Sequence, residues 1–221
     1  MNGNILEICT DASLKTFMPS NRVFTCSGAI SINSTQEKYI VTADSTNNRG
    51  EILAIYLGVK LAKEESEKNH YDAINIYSDS KFAIFGLREW MQGWLKTEDS
   101  KGIIYGSNKQ PVKNQELFKM VITYCTLNNI KINFYAQRGH INPNSPKQLA
   151  KANKYFQQAN GFLLKPEDIF KISFYNDIVD KNSRGILNSV DETHYPKRII
   201  NSDGINMCRY IIPKNFKDYI R

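Results

Sequence analysis

Three carboxylates stand where short apolar runs end or a helix begins. Asp11 follows NILEICT (4–10), Asp79 closes AINIYSD (73–79), and Glu51 lies at the head of an amphipathic run within STNNRGEILAIYLGVKLA (45–62). In that run Ile52, Ile55, Tyr56 and Val59 recur at i, i+3, i+4 and i+7, one face of an α-helix. Neighbouring strand ends in an α/β sheet present side chains into one crevice. A helix linking the third and fourth strands delivers its first turn to the same place. Carboxylates gathered there raise one another's pKa unless a cation neutralises them. Hard oxygen donors of this kind suit Mg²⁺ or Mn²⁺. Any one of these acids alone also serves as a turn residue, a cap or a partner for the helix dipole.

The elements that must position them are legible as periodicity. Residues 4–10, 23–33 and 38–44 read as three strands, with Asn33-Ser34-Thr35 as a turn between the second and third. A helix from about 50 and a strand at 73–79 follow. KFAIFGLREWMQGWL reads as a helix broken near Gly86, and 98–114 as a polar, basic, glycine-bearing loop. ELFKMVITYCTLNN is a further helix, KINFYAQ a fifth strand, and KQLAKANKYFQQAN a last helix that Gly161 stops. The order β-β-β-α-β-α-α-β-α predicts an α/β protein with a mixed sheet and helices packed on it. From Phe162 onward only short elements are visible: PEDIFKI, DIVDKNSRGIL and RYIIPKNFKDYI.

Composition sets wider bounds. The chain has 221 residues, 41% hydrophobic and 23% charged, as expected of a soluble globular protein. No apolar run approaches the roughly 18 residues of a membrane span, and MNGNILEICTD does not resemble a secretory signal. Cys9, Cys26, Cys125 and Cys208 lack metal-site spacing and read as small core residues in a reduced, cytoplasmic protein. The net charge of +7 suits a polyanionic partner without selecting one.

The strings ICTDAS, TNNRGE, IYSDS and GH before a helix occur in a fixed order, and REWMQGWLKTEDSKGIIYGSNKQPVKNQELF lies between the third and fourth. Together they resemble the type I ribonuclease H family over residues 4–161, the long segment being similar to that family's basic substrate handle. The resemblance implies a ribonuclease H-like fold, a five-stranded mixed sheet with helices on both faces. It implies endonucleolytic hydrolysis of the RNA strand of RNA/DNA hybrids by a two-metal-ion mechanism, leaving 5′-phosphate and 3′-hydroxyl ends. Mg²⁺ is the implied cofactor, two ions that Mn²⁺ can replace, held by Asp11, Glu51 and Asp79. His140 matches the family's loop histidine, a proton shuttle or an aid to product and metal release.

The family's fourth carboxylate is missing. No Asp or Glu occurs between Arg138 and Gly161, and the best counterpart the resemblance offers for catalysis and metal ligation is Asn153 in KANKYF. An amide oxygen still ligates a hard cation but brings no charge. A C-terminal acid such as Glu167 or Asp168 is another way to complete the site. For the substrate, the resemblance implies that Asn47 and Asn48 lie near the minor groove and that Ser13 lies beside the RNA strand. Thr46 and Asn114 would hold a DNA phosphate, and Trp90 and Trp94 would meet DNA sugars. Lys81 stands where the family often has an amide, and Lys113 with Lys96, Lys101 and Lys109 would bind phosphates. A 2′-hydroxyl, donor and acceptor at once, is what separates RNA from DNA. Residues 1–161 are thus expected to form the catalytic domain and 162–221 an extension of unknown role. The competing expectations are a hybrid-binding or nucleic-acid-binding module of the same fold with weak or no catalysis, and a related nuclease acting on DNA or double-stranded RNA.

Overall fold

The computed structural model describes residues 4–195 and 219–220. Five strands, β1 (Ile5–Phe17), β2 (Arg22–Ser31), β3 (Glu37–Ala43), β4 (Ala73–Ser78) and β5 (Asn133–Ala136), form one mixed sheet in the order β3-β2-β1-β4-β5. β1 pairs antiparallel with β2 and parallel with β4, and β4 pairs parallel with β5. Side chains alternate between faces. Leu6 and Ile8 enter the core under α1 (Asn47–Ser66), α2 (Lys81–Phe85) and α4 (Gln115–Leu127). Cys9 enters the opposite core, under α5 (Pro146–Asn160) and α6 (Pro166–Ser189). The helices therefore cover both faces, as expected.

The first strand runs longer than its sequence suggests, so Asp11 is not at its end. β1 continues to pair with β2 as far as Phe17↔Arg22, whereas its pairing with β4 stops at Thr10↔Ser78. Asp11 and Asp79 are the next residues on those two parallel strands. The crevice is the point where β4 leaves β1, which periodicity along β1 alone does not mark.

The entry of α1 is fixed by close packing. Thr46 caps it by accepting from the Arg49 N–H, and Ser27 Oγ donates to the Gly50 carbonyl at 2.8 Å. A Cβ at Gly50 would lie 3.0 Å from Ala12 Cβ and 3.1 Å from Thr25 Cβ. Glycine thus lets the first turn sit directly on β1 and β2, and the next residue is Glu51. The break expected near Gly86 is a π-helical turn, Gly86–Trp90, joining α2 to α3 (Met91–Leu95). A Cβ at Gly86 would meet Phe118 Cζ at 2.6 Å, so the helix presses against α4 there.

The largest departure is C-terminal. PEDIFKI and DIVDKNSRGIL are parts of one 24-residue helix, α6, which lies across β1 and β2. Its buried stripe is Ile169, Ile172, Ser173, Asn176, Val179, Asp180, Ser183 and Leu187. The spacing is helical, but half the residues are polar. Burying Ile169, Ile172, Val179 and Leu187 stabilises the helix by about 1.5–3 kcal/mol each. Of RYIIPKNFKDYI only Tyr219 and Ile220 are described; Ile220 bridges to Ile132 in parallel. Cys9, Cys26 and Cys125 are buried free thiols, and Cys208 lies outside the described residues. Among the described residues no helix is long and apolar enough to cross a membrane.

Candidate metal centre

Asp11, Glu51 and Asp79 converge. Each offers a carboxylate oxygen, and these oxygens lie within 4.8 Å of one another. Asp11 is 3% exposed and Glu51 5%. One Asp11 oxygen accepts from the Ala12 N–H at 2.7 Å, and the other faces Asn176 Nδ2 at 3.5 Å. Glu51 Oε1 faces Asn47 Nδ2 at 3.4 Å, while its buried Oε2 has no protein partner. A buried unpartnered carboxylate oxygen is costly. Hard oxygens from three separate elements, one of them orphaned, fit a divalent cation.

The electrostatics agree. Burial first, then the Asp79 and Asp180 charges, push Asp11 up to about 8. Burial and the Asp11 and Asp79 charges hold Glu51 well above the usual range. Asp79 is raised by burial, with His140 opposing. A carboxyl whose folded pKa is raised contributes stability below its unfolded pKa and loses it as pH rises toward the folded value. Without divalent ions the melting temperature should therefore fall between about pH 4 and 8 from this cluster. Mg²⁺ or Mn²⁺ should raise it by an increment that grows with pH, since metal binding needs the ionised acids. Calorimetry with and without chelator checks this; a cation effect independent of pH would contradict it.

Around the acids, His140 has a left-handed backbone (φ 52°) in the β5–α5 loop, and its Nδ1 lies 3.5 Å from Asp180. Thr46, Asn47 and Asn48 are exposed at the head of α1. Asn114, also left-handed, accepts from Arg49 Nη1 at 3.2 Å, so Thr46, Arg49 and Asn114 form one surface group. Arg49 also pairs with Glu116. Lys81 lies over the Tyr155 ring at 4.8 Å. Trp90, 40% exposed, and Trp94 have ring centroids 5.8 Å apart and border a groove of about 730 Å³ with Tyr105, Gly106 and Asn108. Trp94 also packs on Phe118, so it belongs partly to the core. Lys113 is exposed on the protrusion with Lys96, Lys101 and Lys109.

Two residues are placed otherwise than expected. Ser13 is buried under α6, and its hydroxyl donates to Asp180 Oδ1 at 3.0 Å. Asn153 donates to the Leu164 carbonyl at 2.8 Å and accepts from the Leu164 N–H at 3.0 Å. Tyr155, two positions on and so on the other side of the helix, is the residue that feels Asp79; its phenol is raised by burial and then by that charge. The structure does not bring Asn153 into the acidic group, because both ends of its amide close the α5–α6 turn. Glu167 and Asp168 occupy the first turn of α6. The acid that α6 delivers is Asp180, about 18 Å further along the helix axis from Asp168. Sequence reasoning missed Asp180, Asn176 and Arg184; the one signal was the buried stripe of α6, whose polar half concealed its period.

The RNase H family model matches residues 4–154. Ribonuclease H of Rickettsia akari (strain Hartford) is 31% identical over 110 residues, 50% of this chain and 64% of that protein. Ribonuclease H of Thermoanaerobacter pseudethanolicus (strain ATCC 33223 / 39E) is 33% identical over 98 residues, 44% and 55% respectively. The chain thus spans less than two thirds of the length of these relatives. Among solved structures, a foamy viral protease-reverse transcriptase in complex with dsDNA aligns at TM-score 0.46 and 17% identity, covering 71% of this chain and 95% of that one. LC11-RNase H1 in complex with an RNA/DNA hybrid aligns at 0.43 and 14%, covering 70% and 95%. With its family model matched across all five strands and the three converging acids, the chain belongs to the type I ribonuclease H family.

Proposed function

We propose that this protein is a divalent-metal-dependent endoribonuclease that hydrolyses the RNA strand of RNA/DNA hybrids, leaving 5′-phosphate and 3′-hydroxyl ends. The observation that carries the reading is the convergence of Asp11, Glu51 and Asp79 with ligand oxygens within 4.8 Å, one Glu51 oxygen being buried without a partner. These three side chains would hold Mg²⁺, or Mn²⁺ in its place. Bound there, divalent ions supply a nucleophilic water at neutral pH and stabilise charge on the leaving oxygen.

The rest of the work belongs to the chain itself. Asp79 is held at the end of β4 against the Gly139 backbone, and Glu51 at the first turn of α1. His140 combines solvent access with a neighbouring carboxylate, a setting in which an imidazole moves a proton between the reacting phosphate and water. Exposed Asn47 and Asn48 are positioned to test for a 2′-hydroxyl beside the acids. Thr46, Asn114 and Lys113 would hold a DNA phosphate, and Trp90 would meet its sugars. In this reading residues 1–161 are the catalytic unit and 162–221 a C-terminal extension. The buried free thiols suit a reducing, cytoplasmic setting.

The test is cleavage of a labelled RNA/DNA hybrid in Mg²⁺ and in Mn²⁺, beside single-stranded RNA, double-stranded RNA and duplex DNA, with Asp79→Asn as control. Hybrid-only cleavage lost in Asp79→Asn is expected. Tight hybrid binding without cleavage would favour a binding module instead, and cleavage of duplex DNA or double-stranded RNA would reassign the substrate.

A further inference from the structure

Asn153 is the nearest candidate in the sequence for the missing fourth ligand, and the fold commits that side chain to another task. Its two hydrogen bonds to the Leu164 backbone close the turn between α5 and α6. The reversal sends α6 back across β1 and β2. There Lys171 pairs with Glu7 at 3.1 Å, and Val179 packs where a Cβ on Gly28 would meet it at 2.9 Å. This path delivers Asp180 to Ser13, two residues past Asp11. The Asp180 side chain is 8% exposed. It accepts from Ser13 Oγ at 3.0 Å and from Arg184 Nε at 2.9 Å, makes a second contact with Arg184 Nη2, and faces His140 Nδ1 at 3.5 Å.

Two facts point from Asp180 toward the cation centre. Asn176, one helical turn before Asp180 on the same face of α6, faces Asp11 Oδ2 at 3.5 Å, and Ser13, on the same face of β1 as Asp11, donates to Asp180, so Asp180 lies beside the acids although outside their tightest group. The buried Glu51 Oε2, without a protein partner, marks that site as built for a ligand. The charge count adds a reason. Three carboxylates leave two divalent ions under-neutralised, and a fourth balances them. A buried carboxylate needs a partner, and here it is Arg184, whose own side chain is 58% exposed. An ion pair with one solvated member is weak, so a cation can displace it. Resting on the function proposed above, we propose that Asp180, delivered by the C-terminal helix, supplies the fourth carboxylate of the divalent-cation site in place of a residue at position 153, and that Arg184 holds this carboxylate until a cation competes for it.

The test is Mn²⁺ binding to the full-length, metal-free protein without nucleic acid, followed by electron paramagnetic resonance and calorimetry. Asp180→Asn should weaken or lose one of the bound ions, by about 10-fold or more in affinity. Adding Asn153→Asp to that variant should not restore it, because residue 153 faces Leu164. Arg184→Gln should tighten Mn²⁺ binding, since it removes the competitor. If Asp180 and Arg184 merely anchor α6, both variants lower the melting temperature and leave the Mn²⁺ isotherm as in wild type, which overturns the proposal. Rescue by Asn153→Asp overturns it too. Should Asp180→Asn fail to fold, Arg184→Gln decides alone: tighter binding supports the assignment, and unchanged or weaker binding refutes it. A wild-type protein that binds no Mn²⁺ defeats the metal-centre reading itself, whereas wild-type binding lost in Asp79→Asn but unaffected by Asp180→Asn defeats only the role of Asp180.

Discussion

Glu51→Gln should abolish hydrolysis while making the metal-free protein more stable. A ligand carboxylate supplies several kcal/mol of transition-state stabilisation through the ions it holds, so kcat should fall about 10³-fold or more. Stability moves the other way because Glu51 is a buried acid raised well above the usual range by burial and by Asp11 and Asp79. Glutamine keeps the oxygen that faces Asn47 and replaces the orphaned Oε2 with an amide able to donate to Asp11 or Asp79. The gain should grow as pH rises toward and above neutrality and be read as a higher melting temperature in chelator. The cation-induced rise in melting temperature should shrink in the same variant. An active Glu51→Gln enzyme, or one less stable than wild type in chelator, would remove Glu51 from the metal centre.

Gly139→Ala tests the same centre from the loop side. The Gly139 φ is not left-handed, so alanine carries no backbone penalty there. A Cβ at this position would nonetheless lie 2.8 Å from Asp79 Cγ and collide with its carboxylate. Either Asp79 shifts or the loop bearing His140 lifts. A misplacement of about 1 Å costs about 10²-fold in rate, so kcat/KM should fall by that order and Mn²⁺ affinity with it. Folding stability should fall by about 1–3 kcal/mol. Gly185→Ala is the control. Its Cβ meets open space on α6, and alanine in a helix is favoured by about 0.8–1 kcal/mol. A Gly139→Ala protein with wild-type rate would show that the loop yields without disturbing Asp79.

Much of this molecule is legible in its linear pattern, because local periodicity and chain order carry the information. The strand and helix order through residue 161 follows from alternation and 3.6-residue repeats, and Gly161 ends α5 with the left-handed backbone (φ 90°) that its residue type allows. The three acids were also legible, since Asp11 and Asp79 follow short apolar runs and Glu51 opens a helix. What lay beyond the sequence depends on contacts between distant segments. That Asp11 sits mid-strand yet at the site follows from where β4 leaves β1, a matter of register. That α6 is one helix was hidden because its buried face mixes Ile and Val with Ser, Asn and Asp; the partners of Asn176 and Asp180 come from the β5–α5 loop and from β1. The fate of Asn153 was decided the same way. Its residue type permits metal ligation or a backbone clamp, and only the turn to Leu164, 11 residues on, selects the clamp and sends Asp180 to the acids. The sequence determined which residues hold carboxylates; tertiary packing decided which of them meet, because a charge buried beside others is set by distance, and distance by the fold.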